Sequence, residues 1–363
     1  MKNSKLSLFS YFGGKARFCR EIAELLDYNH TNIYIEPFGG AASVLLNKPT
    51  HNVELYSDVS RGLVALMGCL SDSDKAPILI ESLYDTVYSE ECFLEHMEYR
   101  NSVDDNYLKA AQLKELKKRK ELSEKVMRKL KKTGYLKELK NLPDDKQREL
   151  IEELVKGDSI LSPEDKQAIK DIEEDEVGRV LLDMENFDIN ENVGVIEDPD
   201  ELKLAVATYV QYSMSRDGMG TAFSSSKFRS SEAYYKHIDR LYDVADRLNG
   251  VQVTGSVGTL TYLLECSYLD DPKAMFYIDA PYLSADQNQK NLGICYKGQM
   301  EVEDHRLLLQ TISKSKAKFL ISNYDTPVYN YYLGDWNKVT IDTVTGVGSK
   351  KNNKRTECLW YNY

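Results

Sequence analysis

Apolar and polar positions along the chain divide it into three regions. Residues 1–84 predict alternating helices and strands. These are a helix around 15–27, a strand at NIYIEP (32–37), a helix starting near Ala41 and a strand at VELYSD (53–58). Strand-like runs return after residue 250, at VQVTG, MFYID, KFLISNY, KVTIDTV and ECLWYNY. The pattern therefore predicts an α/β domain that is interrupted by a mainly helical block at 85–250.

Within that block, the spacing of apolar residues predicts several helices. Leu113, Leu116, Leu122, Val126 and Leu130 follow roughly helical spacing, and Gly134 comes where such a helix would stop. A second helix is predicted to begin at Ser162-Pro163, because a capping serine precedes proline and two acidic residues. A third helix is predicted from about Ser231 to Leu248, ending at Asn249-Gly250.

The length of 363 residues is enough for one large α/β domain and a smaller one. No run approaches the ~18 consecutive apolar residues of a membrane span, and the first residues lack the apolar segment of a signal peptide. The six cysteines form no C-x-x-C pair and the five histidines form no ligand cluster. We therefore expect no metal site and no disulfide framework, and a reduced, cytoplasmic compartment.

The net charge of −11 is unevenly distributed. Residues 141–201 hold 21 Asp and Glu against 6 Lys and Arg, a net of −15. Residues 104–140 hold 13 Lys and Arg against 6 Asp and Glu, a net of +7. A basic segment thus lies beside an acidic one. The overall acidity does not exclude a nucleic-acid partner, although a basic face is also an ordinary solvated surface.

An apolar run at residues 276–278, in the stretch FYIDAPYLS, stops abruptly at Asp279. Phe276, Tyr277 and Ile278 suit a covered strand, and Pro281 prevents the strand from continuing. Asp279 is then the first polar group after the strand. From these residues alone, a plain turn and a functional carboxylate both remain open.

The stretch YIEPFGGAASVLL (34–46) predicts a strand that enters a glycine turn and leaves as a helix. Such a turn can bring a nucleotide-type cofactor close to the backbone of Gly39 and Gly40, although glycines in tight turns also serve structure alone. No dinucleotide or phosphate-loop glycine motif occurs. Asp58 ends the next strand, where an acidic residue commonly binds a ribose diol. A ribose contact without a phosphate grip points to an adenosyl ligand.

Four blocks in this order resemble the Dam-like family of DNA adenine-N6 methyltransferases. They are YFGGK (11–15), EPFGGAAS (36–43), SDVS (57–60) and DAPY (279–282). The strand KFLISNY and the ending RTECLWYNY are also similar to the last strands of that family. The resemblance covers about 200 residues at the two ends of the chain, and residues 103–200 have no clear counterpart.

The resemblance implies an α/β, Rossmann-like sheet of the type that binds S-adenosylmethionine, with an inserted, mainly helical target-recognition region. The cofactor-binding part would be 1–84, the target-recognition region 85–250 with a charged insertion at about 103–200, and the DAPY part 251–363. The expected reaction is methylation of N6 of a flipped-out adenine in DNA. S-adenosylmethionine would be the cofactor and DNA the partner.

The resemblance also implies roles for individual residues. The acceptors for the adenine amino group would be the Asp279 carboxylate and the Ala280 carbonyl, with Pro281 stiffening the turn and Tyr282 stacking on the base. The expected cofactor-binding residues are Tyr11, Lys15, Glu36, Pro37, Phe38, Gly39, Gly40, Ala41, Ala42, Asp58, Val59 and Asp279. Lys15 would pair with the methionine carboxylate.

The chain departs from the family pattern at three places. Ala280 replaces the usual proline of the tetrad, but alanine keeps the backbone carbonyl. Ala41 and Ala42 stand where glycines are common. Thr254-Gly255-Ser256 stands where the family often has an acidic residue near the adenine of the cofactor.

Three basic residues in the Gly/Ser-rich stretch 215–231 are candidates for DNA contact: Arg216, Lys227 and Arg229. The Lys-rich segment 109–132 and the loop 344–355 are further candidates, and solvated surfaces are the alternative for each. Two other functions remain open at this stage. One is N-methylation of RNA or of a protein amide, and the other is a methyltransferase-like binding module with weak catalysis.

Overall fold

Seven strands form one sheet in the part of the chain that the computed structural model describes, residues 5–103, 200–255, 259–264, 266–283, 300, 302–344 and 354–363. The strands are β1 (Ile33–Glu36), β2 (Val53–Asp58), β3 (Gln252–Gly255), β4 (Ala274–Ile278), β5 (Lys318–Tyr324), β6 (Asn337–Val344) and β7 (Lys354–Tyr361). Their spatial order is β3-β2-β1-β4-β5-β7-β6. The described residues fall in one unit of the chain, 1–108 together with 196–363.

The first five strands in this order are parallel, and β7 runs antiparallel to both of its neighbours. β1 pairs with β2 on one side and with β4 on the other. On one side of β1 lie β2 and then β3, and on its other side lie β4 and then β5. The order therefore reverses between β1 and β4, which is where ligands bind in open parallel sheets. This mostly parallel α/β sheet confirms the predicted Rossmann-like fold class.

Alternate residues of the central strands pack into two separate cores, one on each face of the sheet. In β4, Met275 and Tyr277 belong to one core, whereas Phe276 and Ile278 belong to the other. Every residue of β4 is buried, as expected for a parallel strand that is covered on both faces. This double burial explains why the strand appears in the sequence as a continuous apolar run.

Helices cover both faces of the sheet and connect the parallel strands. Their bounds are Cys19–Leu25, Ser43–Asn47, Arg61–Ser71, Lys75–Tyr84, Glu201–Met214, Ser231–Asp239, Leu241–Leu248, Thr259–Leu264, Val302–Lys314 and Pro327–Tyr332. Residues 90–103 are also helical. Short 3-10 helices occupy Lys15–Arg17 and Ser267–Asp270. None of the helices described here is long and apolar enough to cross a membrane.

The predicted strands occur close to their expected positions, whereas three helix predictions need correction. The helix expected at 15–27 is a 3-10 turn followed by Cys19–Leu25. The helix expected from Ala41 starts at Ser43, because Ala42 has a left-handed conformation with φ 54°. The helix expected from Ser231 to Leu248 is divided at Arg240. The predicted helices at 113–130 and after Ser162 lie outside the described residues.

Candidate active site

The two most informative motifs of the sequence meet at the switch point of the sheet. β1 ends at Glu36 and leads into the glycine turn, whereas β4 ends at Ile278 and leads into Asp279. The two strands are hydrogen-bonded neighbours, with Ile35 opposite Phe276. Because both are parallel, their carboxyl ends lie at the same edge of the sheet. The glycine turn and the DAPY turn are therefore adjacent.

Asp279 is held by two polar groups. The Lys15 ammonium lies 2.7 Å from Asp279 Oδ1, and the Ser322 hydroxyl donates a hydrogen bond of 2.7 Å to the same oxygen. The side chain of Lys15 is 6% exposed and that of Asp279 is 15% exposed. The pair is thus largely shielded from water. An ion pair in such surroundings is much stronger than one at the protein surface.

Lys15 reaches Asp279 from the short turn that follows the two glycines of YFGGK. Its ammonium also donates to the Gly13 carbonyl at 3.0 Å and lies 4.6 Å from the centre of the Tyr282 ring. Burial by itself disfavours the charge, but the nearby groups Asp279, Tyr277 and Glu357 raise the pKa of Lys15 well above its ordinary value. Lys15 is therefore a cation that lies beside the DAPY turn.

Tyr282 is fixed at both ends of its side chain. Its hydroxyl donates to Glu357 Oε2 at 3.2 Å, and its ring lies edge-on to the Tyr324 ring with centres 4.8 Å apart. Burial and then the charges of Asp279 and Glu357 hold the pKa of Tyr282 well above its ordinary value. The phenol is therefore a neutral hydrogen-bond donor. Between Asp279 and Tyr282, Ala280 is buried and Pro281 is half-buried.

The glycine turn after β1 is tied to the end of β2. Gly40 N–H donates to Asp58 Oδ2 at 2.8 Å, and the Tyr56 hydroxyl donates to the Gly40 carbonyl at 2.7 Å. Ser60 N–H donates to the other oxygen of Asp58, also at 2.8 Å. Asp58 therefore joins the two turns that the sequence predicts around the cofactor, and the half-buried Val59 lies between them in the chain.

Gly39 has no room for a side chain. A Cβ atom at this position would lie 2.0 Å from Cε2 of Tyr56, whose side chain is completely buried. Gly40 has φ +51°, and a Cβ there would lie 3.1 Å from the Tyr11 ring. The close approach of the backbone to its surroundings thus requires both glycines. Tyr11, from the YFGGK block, covers this turn.

Glu36 is directed into the protein. It is 2% exposed, and its Oε2 accepts hydrogen bonds from the Tyr34 hydroxyl at 2.6 Å and from Leu45 N–H at 3.1 Å. Burial is the main reason why the pKa of Glu36 rises to about 8. The carboxyl thus fastens the helix Ser43–Asn47 to β1.

The other residues of the glycine turn differ in exposure. Pro37, Ala41 and Ala42 are buried, whereas Phe38 is half-buried and packs against the core that contains Phe276. Ala42 N–H donates to the Gly39 carbonyl at 2.8 Å, which closes the turn just before the helix. The turn is therefore a rigid connection with its backbone close to the end of β4.

The stretch predicted to contact DNA forms a short hairpin that packs against the YFGGK block. Ser215 pairs with Phe223, and Arg216 N–H donates to the Ala222 carbonyl at 2.8 Å. Phe12 N–H donates to the Gly218 carbonyl at 2.9 Å. A Cβ at Gly218 would lie 2.6 Å from the Phe12 nitrogen, so the hairpin approaches the block as closely as a glycine permits.

The three basic residues of this stretch have different environments. Arg216 and Arg229 are exposed. Lys227 donates to the carbonyls of Tyr212 at 3.1 Å and Ser215 at 2.8 Å, and burial lowers its pKa to about 8. The ammonium of Lys227 thus braces the base of the hairpin, whereas the two arginines are presented to solvent.

Three polar residues of the site were not predicted individually, although all three lie in strands that showed the family resemblance. Ser322 and Tyr324 alternate along β5, so both side chains point to the same face. Ser322 binds Asp279, and Tyr324 contacts Tyr282. Glu357 lies opposite Tyr324 in β7. The signal that could have identified them is the position of polar residues at the end of an otherwise apolar strand.

The part of the chain that contributes Lys15 and the glycine turn to this site matches a known protein family. Residues 11–148 match the D12 class of N6 adenine-specific DNA methyltransferases. The matched region begins at Tyr11 and includes the YFGGK, EPFGGAAS and SDVS blocks. The match bears out the predicted resemblance to the Dam-like family, because the D12 class consists of enzymes that methylate N6 of adenine in DNA. No curated protein matches the chain.

The D12 match ends before the DAPY tetrad, which is supplied by a distant part of the chain. The fold brings the two parts together, since Lys15 of the matched region binds Asp279 of the tetrad. The residues predicted for the active site are therefore brought together from both ends of the sequence.

Proposed function

We propose that this D12-type methyltransferase transfers the methyl group of S-adenosylmethionine to N6 of an adenine that has left the DNA helix. The observation that carries the proposal is the position of Asp279 at the switch point, paired with the Lys15 ammonium, which also lies over the ring of Tyr282. An acceptor and an aromatic ring at this edge suit a flat base with an amino group.

The residues at the end of β1 and β2 fit an adenosyl cofactor. The Gly39-Gly40 turn places backbone without side chains at the end of β1, and Asp58 is an acceptor of the type that binds a ribose diol. Lys15 is a cation that suits a carboxylate. When bound, S-adenosylmethionine supplies a methyl group activated by a sulfonium. Tyr11, Phe38 and Val59 are proposed to line the same pocket.

The role of the protein is to prepare the adenine amino group. Its lone pair is delocalised into the ring, so N6 is a weak nucleophile. The Asp279 carboxylate and the Ala280 carbonyl are proposed to accept the two N6 hydrogens and to stabilise positive charge as it develops there. The bond between N6 and the methyl carbon forms while the sulfur–carbon bond breaks, and N6 then loses one proton to water.

Lys15 has to move when the base enters. An amino group bound to Asp279 and a base stacked on Tyr282 would both use the space that the Lys15 ammonium holds. The carboxylate of the cofactor offers the ammonium another negative partner. We therefore expect cofactor binding to make Asp279 more accessible to the adenine.

Docking on DNA is assigned to the hairpin 215–224 and the residues that follow it. Arg216 and Arg229 are exposed cations that suit phosphates or the acceptor edge of guanine. Arg216→Ala and Arg229→Ala should weaken DNA methylation without changing cofactor affinity. Loss of a bidentate guanine contact would cost about 1–3 kcal/mol and relax one position of the target sequence.

The deciding experiment measures transfer of a labelled methyl group to unmethylated DNA, RNA and a peptide pool. Asp279→Asn should abolish transfer to DNA and leave DNA affinity largely intact. Asp271→Asn is the matched control, since Asp271 precedes the opposite end of β4 and its carboxylate accepts a local hydrogen bond from Lys273 N–H. Retained transfer by Asp279→Asn would overturn the mechanism, and transfer to RNA or peptide alone would overturn the substrate.

A further inference from the structure

A second carboxylate, Glu357, reaches the DAPY turn from the far side of β5. It lies in β7 opposite Tyr324, the last residue of β5. Because β7 is antiparallel, this part of the strand lies at the edge where the parallel strands end. Opposite residues of an antiparallel pair share a face of the sheet, so Tyr324 and Glu357 project together toward the DAPY turn.

These two neighbours contact different parts of Tyr282. The Tyr324 ring packs nearly perpendicular to the Tyr282 ring, with an angle of 83° between their planes. Glu357 Oε2 accepts the hydrogen bond from the Tyr282 hydroxyl at 3.2 Å. A ring contact alone leaves Tyr282 free to rotate about its side-chain bonds, whereas a hydrogen bond at the far end of the ring removes that freedom. Together the two contacts define the plane of Tyr282.

From this geometry we infer that Glu357 is a positioning residue for methyl transfer, which sets the plane of Tyr282 and through it the plane of the target base. The inference rests on the proposed function of Tyr282 as a stacking surface. A base that stacks on a tilted ring presents its amino group at the wrong angle to Asp279. Reactions of this kind are sensitive to such misalignment, because attack on the methyl carbon must be in line.

The environment of Glu357 explains why a carboxylate is suited to this position. The group is half-buried and acts electrostatically on Lys15, whose ammonium lies over the Tyr282 ring. An acceptor with a full or partial negative charge binds a phenol hydroxyl more strongly than a neutral amide does. The same carboxylate leaves a negative charge near Lys15 when Asp279 engages the base.

The test combines Glu357→Gln, Tyr282→Phe and the double variant in single-turnover methyl transfer to unmethylated genomic DNA. Each single change should lower the rate by about tenfold, the effect of one hydrogen bond to a charged group. The double variant should be no slower than the slower single variant, because Tyr282→Phe removes the same contact that Glu357→Gln weakens by taking away the charge of the acceptor. Cofactor affinity, measured by calorimetry, should remain within about twofold of wild type.

Asp325→Asn is the matched control, since this exposed carboxylate follows Tyr324 and instead pairs with Lys338. It should leave the transfer rate unchanged. A wild-type rate in Glu357→Gln, or losses that multiply in the double variant, would overturn the inference. Loss of cofactor affinity without loss of the single-turnover rate would also overturn it, because Glu357 would then serve the cofactor.

A measurement independent of activity separates this inference from the proposed function. With 3-fluorotyrosine placed at position 282, the fluorine resonance should shift and broaden in Glu357→Gln but not in Asp325→Asn. If the wild type transfers no methyl group to DNA but the resonance responds, the proposed function fails while the link between Glu357 and Tyr282 stands. An unchanged resonance would overturn the link even in an active enzyme. Tyr282→Phe covers the case in which Glu357→Gln does not fold.

Discussion

Lys15 and Asp279 form a buried ion pair whose members come from opposite ends of the chain. At the scale of single residues, this pair contributes both to the fold and to the chemistry. It stabilises the contact between the YFGGK block and the DAPY turn, and it occupies the acceptor that the proposed reaction needs. Because the proposed reaction displaces Lys15 from Asp279, the energy of this ion pair is lost when the base binds. Interactions with the cofactor and the base have to offset that loss.

Breaking this pair should therefore destabilise the protein. Lys15→Met leaves the Asp279 carboxylate largely buried without its cation, and we expect a loss of about 3–5 kcal/mol in the free energy of unfolding. Urea denaturation measures this loss. The double variant Lys15→Met/Asp279→Asn should recover much of it, since the uncompensated charge is then absent. Additive losses would show that another group, such as Glu357, is the main counter-ion of Lys15.

Glu36 predicts a pH dependence of stability. Its pKa is raised from 4.5 to about 8, chiefly by burial, so the unfolded chain ionises this carboxyl at lower pH than the folded protein does. The stabilisation that the protein gains from protonated Glu36 is therefore fully present below the unfolded-state pKa of 4.5. It is lost as the pH rises toward the folded-state pKa of about 8. The expected slope is about 1.4 kcal/mol per pH unit within this window.

Glu36→Gln tests this dependence, because glutamine keeps an oxygen that can accept from Tyr34 and Leu45 but does not titrate. The stability of the variant relative to wild type should increase with pH across the same window, as measured by urea denaturation. Glu232→Gln, in the exposed pair of Glu232 with Lys236, is the control for the substitution itself, because it removes a carboxyl that is not buried. Parallel curves for Glu36→Gln and wild type would contradict the prediction.

At the scale of elements, the hairpin 215–224 and the YFGGK block are in direct backbone contact. Asp217 organises the hairpin by accepting hydrogen bonds from Ser215, Met219 and Thr221. The same hairpin bonds to Phe12, three residues before Lys15. A segment proposed to touch DNA is thereby attached to a segment that reaches Asp279, the proposed catalytic carboxylate.

Gly218→Ala should disturb this attachment. The added methyl group would meet backbone atoms of Phe12 and Tyr11 at 2.6 and 2.7 Å, so the hairpin or the block has to shift. We expect a loss of methylation rate on DNA of about tenfold or more, since displacements near 1 Å are costly in positioned sites. Met219→Ala is the adjacent control, because Met219 is exposed and its truncation adds no clash. Equal rates for Gly218→Ala and wild type would show that the hairpin is positioned independently of the block.

At the scale of the whole molecule, the charged insertion leaves and re-enters the described unit at neighbouring points. The Lys203 ammonium lies 4.4 Å from the centre of the Tyr99 ring, and the Gln211 amide donates to Asn101 at 3.4 Å. Residues 109–195 form a unit of their own, separate from the unit that contains the described residues. A connection between nearby points can be shortened with little cost in loop closure.

Replacement of residues 109–195 by a short Gly/Ser linker should therefore leave cofactor affinity close to that of the full chain. All residues proposed to bind the cofactor lie outside the deleted segment. Calorimetry with S-adenosylmethionine measures the affinity, and Asp58→Ala in the shortened chain is the control that should lose it. A shortened chain that is folded but no longer binds cofactor would place part of the pocket in the insertion.

Local pattern was sufficient to predict the elements that carry the site. VELYSD was predicted as a strand and β2 spans Val53–Asp58, because a covered strand of aromatic and aliphatic residues ends where a polar group emerges. The turns after β1 and β4 were predicted for the same reason, from Gly39-Gly40 and from Pro281. These features depend on the residue and its immediate neighbours, which the sequence contains directly. The family resemblance then related the turns to a cofactor and a base.

Other features depended on which strands become neighbours. The pairing of β1 with β4 places the glycine turn beside the DAPY turn, and the register of β5 with β7 places Glu357 beside Tyr324. The contact of Lys15 with Asp279 likewise joins residues that are far apart in the chain. The left-handed backbone of Ala42 and the break at Arg240 also opposed the local helical pattern. The amino-acid sequence thus determined by itself where strands and turns occur, since these follow from local burial and backbone chemistry. Only the tertiary structure decided which distant polar groups meet, because sheet order and register determine those contacts.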